Sequence, residues 1–173
     1  IIRLDDAEDL EIEYQSATGV FTRLVFGDLN ASSSNNEWGL AIADIDENGY
    51  NDIVAGGNDF TNGSNRAKLL LANSTGTGYT LSSLGGPANI FTQNINFADI
   101  DNNGTTDLFI CDDDAVSAPF NNDGNGSMTY DLGLINAVST VPSDNSGNYG
   151  SIWIDYDNDG DLDLYISKCK IGV

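Results

Sequence analysis

The sequence predicts an all-β fold of β-propeller blades, about three four-stranded antiparallel units that form part of a larger propeller. Three observations carry that expectation. A nine-residue acidic loop occurs three times, as Asp44-Ile-Asp-Glu-Asn-Gly-Tyr-Asn-Asp52, Asp99-Ile-Asp-Asn-Asn-Gly-Thr-Thr-Asp107 and Asp155-Tyr-Asp-Asn-Asp-Gly-Asp-Leu-Asp163, with first aspartates 55 and 56 residues apart. Short apolar segments flank every copy, and an Asn/Gly turn recurs within the repeat. Self-similarity on this scale is the signature of a repeat architecture, in which each unit buries its apolar faces against its neighbours.

The elements follow in order. Residues 1–34 lack an acidic loop, but Val20–Phe26 reads as outer strand of a preceding blade. The pattern at Ala7–Tyr14 is short, and Glu11-Ile-Glu-Tyr14 alternates as a strand does. Before the three loops lie Gly39–Ala43, Asn94–Ala98 and Gly150–Ile154; after them come Ile53–Gly56, Leu108–Cys111 and Leu164–Ser167. These runs are rich in Ile, Val, Phe and Trp and bounded by turn residues, so each loop joins two strands as a hairpin. Leu69–Ala72 and Tyr79–Leu81 flank the turn Asn73–Gly78, and Ala118–Phe120 and Met128–Leu132 flank Asn121–Gly126, with Thr75 standing where the second copy has Asp123. Four short strands per repeat make one propeller blade. The chain divides into a blade remnant (1–34), two blades (35–90 and 91–146) and the start of a further one (147–173). Propellers close with four to eight blades, so the expectation is a piece, or the ordered part, of something larger. Ile42, Phe97 and Trp153 hold one place in the repeat and are expected between neighbouring blades. Trp153 and Leu164–Ser167 are expected to face further blades, another chain or a binding partner.

All three loops fit D-x-D-x-[DN]-G-x-x-D. Alternate carboxylates or amides point into one concavity, the glycine permits the sharp turn, and the last aspartate closes the cage. Hard oxygen donors in a flexible loop suit Ca²⁺, which takes six to eight of them. Three Ca²⁺ sites are therefore expected, with side-chain donors Asp44, Asp46, Asn48 and Asp52; Asp99, Asp101, Asn103 and Asp107; and Asp155, Asp157, Asp159 and Asp163. The third should bind tightest, because Asp159 offers a carboxylate where Asn48 and Asn103 offer amides. An EF-hand is excluded, since it needs flanking helices and a Glu at position 12, where Ala55, Ile110 and Ile166 stand.

Composition agrees. The 173 residues carry 27 acids, six bases and no histidine, a formal charge of −21, which three Ca²⁺ would bring to −15. Without metal the loop carboxylates repel one another, so the fold should depend on calcium. The acidity disfavours nucleic acid and anionic membranes as partners, and no 18-residue apolar run is present to insert in a membrane. Hydrophobic content of 40% supports a core. Cys111 and Cys169 are too few for a disulfide framework; they read as two buried thiols, with a bridge as the alternative.

At Trp38–Asp44, Phe97–Gly104, Trp153–Tyr165 and the Asn121–Gly126 turn, the chain resembles the FG-GAP/VCBS repeat family, the calcium-binding propeller blades also found in integrin α-subunit heads. The resemblance covers residues 35–169. It implies that the carbonyl of loop residue 7, from Tyr50, Thr105 and Asp161, joins each ligand set. The closing stretch Asp163–Gly172 is similar to part of large Bacteroidetes proteins secreted by the type IX system. The family implies a calcium-stabilised, secreted or cell-surface module that binds a protein or glycan through loops such as Asn30–Glu37, Asn58–Arg66 and Ser143–Asn148. The alternatives are a propeller-type lyase or hydrolase whose catalytic residues lie mostly outside this segment, and a structural spacer or secretion cargo. Against catalysis here, Asp112-Asp-Asp114 reads as exposed loop charge with no histidine partner. Trp38 and Trp153 read as packing residues rather than sugar platforms.

Overall fold

The computed structural model describes residues 1–4, 10–25, 36–58 and 67–169. Phe26, most of the loops 30–37 and 58–66, residues 170–172 of the closing stretch and Val173 lie outside the described residues. Strands β1 (Ile2–Leu4), β2 (Leu10–Ala17) and β3 (Val20–Val25) make a three-stranded sheet. Two four-stranded sheets follow: β4 (Asn36–Ala43), β5 (Asp52–Asn58), β6 (Lys68–Ala72) and β7 (Tyr79–Ser83), then β8 (Thr92–Ala98), β9 (Asp107–Asp112), β10 (Ala118–Asn122) and β11 (Met128–Tyr130). A two-stranded sheet of β12 (Asn148–Ile154) and β13 (Asp163–Lys168) ends the series. Pairing is antiparallel throughout. Among the described residues the only helical element is the 3-10 turn Pro142–Asn145.

Each acidic loop is a hairpin connection, closed by the pairs Ala43–Asp52, Ala98–Asp107 and Ile154–Asp163. The Asn/Gly turns close β6–β7 at Ala72–Tyr79 and β10–β11 at Asn122–Met128. This corrects the alignment of the two turns. Asn73, not Thr75, is the counterpart of Asp123: the Oδ1 of Asn73 accepts from the N–H groups of Thr75 and Thr77, and that of Asp123 from Asn125 and Ser127. The first turn has one residue more, which shifts the glycines that the sequences appear to share.

The second strand of a blade is buried on both faces, so it reads as a continuous apolar run rather than an alternation. In β5, Ile53 and Ala55 join Leu10 and Ile12 of the three-stranded sheet in one core, while Val54 faces the next blade in a second core with Ile95, Leu108 and Ile110. In β9, Leu108 and Ile110 look back to the first blade and Phe109 looks forward to Trp153, ring centroids 5.7 Å apart and edge to face. Close approach of the first two blades depends on Gly39 and Gly56. A Cβ at Gly39 would lie 2.6 Å from Thr92 Cγ2, and one at Gly56 would lie 2.7 Å from Thr92 Oγ1. Between the second four-stranded sheet and the two-stranded sheet, Asn96 Nδ2 donates to Ser151 O (3.0 Å) and the Ser151 N–H donates to Asn94 Oδ1 (3.2 Å).

Four expectations are corrected. Phe97 and Trp153 pack between blades, but Ile42, paired with Ile53 on the face toward the three-stranded sheet, is 43% exposed and joins neither core. Trp153 faces back onto Phe109; the residues of opposite parity, Ile152, Ile154 and Tyr165, carry the outward face, and Tyr165 is 64% exposed. Asp112 is buried because β9 runs one residue further than its apolar stretch; its Oδ1 accepts from the N–H of Phe91 and Asp114. Cys111 is buried and Cys169 exposed, both as free thiols.

Candidate metal centres

The three loops share one backbone path. Position 4 is left-handed in each, with φ of 57° at Glu47, 57° at Asn102 and 61° at Asn158, and the following-but-one glycine has φ of 90° at Gly49, 90° at Gly104 and 98° at Gly160. A β-carbon is disfavoured there, which is why glycine holds position 6 while asparagine, tolerant of this region, takes position 4 in two copies. The curl aims two N–H groups at the first aspartate. Asn48 and Gly49 donate to Asp44 (3.1 and 2.8 Å), Asn103 and Gly104 to Asp99 (3.0 and 2.9 Å), Asp159 and Gly160 to Asp155 (3.1 and 3.2 Å). The position-5 oxygen accepts from the N–H of residue 7 in every copy: Asn48 from Tyr50, Asn103 from Thr105, Asp159 from Asp161.

Carboxylate oxygens of Asp44, Asp46 and Asp52 lie within 4.8 Å of one another, as do those of Asp99, Asp101 and Asp107, and of Asp155, Asp157 and Asp159. The donors are all oxygen, from groups that would repel without a positive charge among them, and this set fits a hard divalent cation. The remaining expected side-chain donors are placed in the same loops: Asn48 and Asn103 on the curl, Asp163 at the end of the third hairpin. Asp161 meets a neighbouring loop, accepting from Asn102 Nδ2 at 2.5 Å.

The closing aspartates have a second task that the sequence pattern does not disclose. Asp52 and Asp107 are fully buried. Asp52 Oδ2 accepts from the Ile45 N–H (2.9 Å) and its Oδ1 from the Ala72 N–H (2.7 Å), tying loop, β5 and β6 together. Asp107 does the same with Ile100 (3.0 Å) and Asn122 (2.9 Å). Burial pushes both carboxyls above the usual range, with the neighbouring aspartates adding to the rise and these N–H groups opposing it. Asp163 accepts from Tyr156 N–H (2.9 Å) but stays exposed, since its two-stranded sheet has no third strand among the described residues. Sequence reasoning also missed Asn122, whose side chain reaches across to the first loop; nothing in its local context marks it.

Consecutive antiparallel sheets placed side by side, three of them opened by an acidic hairpin, define a repeat-built β-propeller. The chain belongs to the FG-GAP-like repeat family, whose model matches residues 44–110 and 99–166 and so spans more than half of it. No curated protein and no solved structure matches it. No helix among the described residues is long and apolar enough to cross a membrane.

Proposed function

We propose that this propeller segment is a calcium-stabilised binding module of a secreted or cell-surface protein, presenting its loops to a protein or glycan ligand. The observation that carries the reading is the threefold convergence of carboxylate oxygens on identically curled hairpins. Calcium in these cages neutralises carboxylates held close together and fixes the first two strands of each blade. Asp44, Asp46, Asn48 and Asp52, with their counterparts in the other loops and the carbonyls of Tyr50, Thr105 and Asp161, supply the ligands. An ion with this structural task suits an extracellular setting, where calcium is abundant enough to fill sites of moderate affinity. The strong negative charge argues against a polyanionic ligand such as nucleic acid.

Calcium titration calorimetry on the chain should give three sites. A site at a hundredfold saturation adds about 2.7 kcal/mol, so excess chelator should lower the melting temperature sharply. Fewer than two sites, or an unchanged melting curve in chelator, would refute the calcium role. A glycan array probed with and without calcium tests the ligand class, and calcium-independent silence on every glycan would redirect the search to proteins.

A further inference from the structure

Asn122 is 2% exposed and lies at the end of β10, between the first and second acidic loops. Its backbone N–H donates to the closing carboxylate of the second loop, Asp107 Oδ1, at 2.9 Å. Its Nδ2 donates to Ile45 O in the first loop at 2.8 Å and to Thr106 O at 3.0 Å, and its Oδ1 accepts from Gly124 N–H at 3.0 Å. The N–H of that same Ile45, itself buried, donates to the closing carboxylate of the first loop, Asp52 Oδ2, at 2.9 Å. A continuous buried path thus runs from Asp52 through the Ile45 peptide groups and Asn122 to Asp107. The equivalent position one blade earlier, fixed by the same bond to the closing aspartate, is Ala72. Alanine keeps the backbone bond and has no amide to reach back with, and residues 1–34 contain no acidic loop for it to reach.

We propose that Asn122 is a positioning residue that couples the first and second metal sites, so that filling either loop raises the affinity of the other. This rests on the calcium reading above. An ion in the first loop orders Asp52 and with it the Ile45 peptide; the Ile45 carbonyl then holds the Asn122 amide, and the Asn122 N–H holds Asp107 in its ligating orientation. The loop that fills first orders the shared residue, and the second fills a site already arranged. Bare charge acts the other way, since two cations repel, so positive coupling excludes direct electrostatics and its loss in Asn122→Ala assigns it to the path. Coupling between sites is reciprocal by linkage and typically about 5–150-fold.

The test is a calcium titration of the full chain by amide NMR. Gly49 and Gly104, whose N–H groups donate to the first aspartates of the two loops, report each site separately. Asp44→Ala should weaken the second loop at least about fivefold, and Asp99→Ala should weaken the first by the same factor. In Asn122→Ala both loops should still bind, and the mutual dependence should vanish. Should that variant fail to fold, Asn122→Ser takes its place, since it keeps the backbone bond to Asp107 and removes the side-chain amide that reaches Ile45. Two loops that bind independently within twofold overturn the coupling while leaving the calcium reading intact, as does coupling that persists without the Asn122 amide. Absence of binding at either loop in the unaltered chain overturns both.

Discussion

The contact between the first two blades can be tested at a single atom. Adding a β-carbon at Gly56 places it 2.7 Å from Thr92 Oγ1 and 3.1 Å from both Thr92 Cβ and Cγ2. Thr92 is fully buried and its hydroxyl has no partner among the described residues, so it has nowhere to retreat. Overpacking of this kind costs roughly 1–3 kcal/mol, offset by roughly 0.5–1 kcal/mol from the lost freedom of glycine in a strand. Gly56→Ala should therefore destabilise by about 1–2 kcal/mol, a fall in melting temperature of roughly 2–8 °C for a chain of this size. Thr92→Ala alone removes a buried methyl group worth about 0.8 kcal/mol and an unsatisfied hydroxyl whose loss is favourable, so it should be nearly neutral. With Thr92→Ala in place, only the contact at 3.1 Å with its Cβ remains, and Gly56→Ala should cost at least about 1 kcal/mol less than in the unaltered chain. Urea or thermal unfolding of the four proteins in saturating calcium measures this. Additivity within ~0.5 kcal/mol would show that the two residues do not meet, and the blade interface would have to be redrawn.

Other consequences are as direct. Burial pushes the Asp112 carboxyl to about 6 from its ordinary 3.8, with Asp114 adding to the rise and the N–H groups of Asp114 and Phe91 opposing it. The folded state then binds more protons than the unfolded one between pH 3.8 and 6, so this group's destabilising effect grows as pH rises through that window and is complete above it. Asp112→Asn should accordingly stabilise the fold at pH 7.5 by at most about 3 kcal/mol, with the advantage gone near pH 4; a pH-independent difference between the two proteins would contradict the burial. Of the two thiols, exposed Cys169 should react with a disulfide reagent in the native state and buried Cys111, whose thiol burial pushes up, only after unfolding. Two equivalents released at once from folded protein would place Cys111 at the surface.

The hairpins were legible because nine contiguous residues carry both the turn and its chemistry, and because blade order follows chain order. The two-faced burial of the second strand was legible in the unbroken runs Ile53–Ala55 and Leu108–Cys111. What stayed hidden depended on distant partners. Asp112 belongs to a run of three acids that any local reading leaves in water, yet one more residue of strand turns it inward onto the Phe91 N–H. Asn122 acts on a carbonyl 77 residues away. The inward direction of Trp153 was readable from its shared parity with Phe97; the error lay in expecting the outermost copy of that position to face away from the preceding blade.

Within the described residues each sheet is made of strands consecutive in the chain, and none passes from one sheet to another. Strand pairing therefore joins segments that follow one another along the chain, which shortens the loops that must close before each pairing forms. The acidic hairpins repeat that advantage, each bringing two strands into register across nine residues. Assembly has no obligatory starting point in such a chain: any hairpin can form first and its neighbours dock onto it in either direction, as in other quasi-linear repeat arrays. On the coupling proposed above, the path from Asp52 to Asp107 gives that docking step a chemical handle, with ion availability governing how readily one finished blade recruits the next.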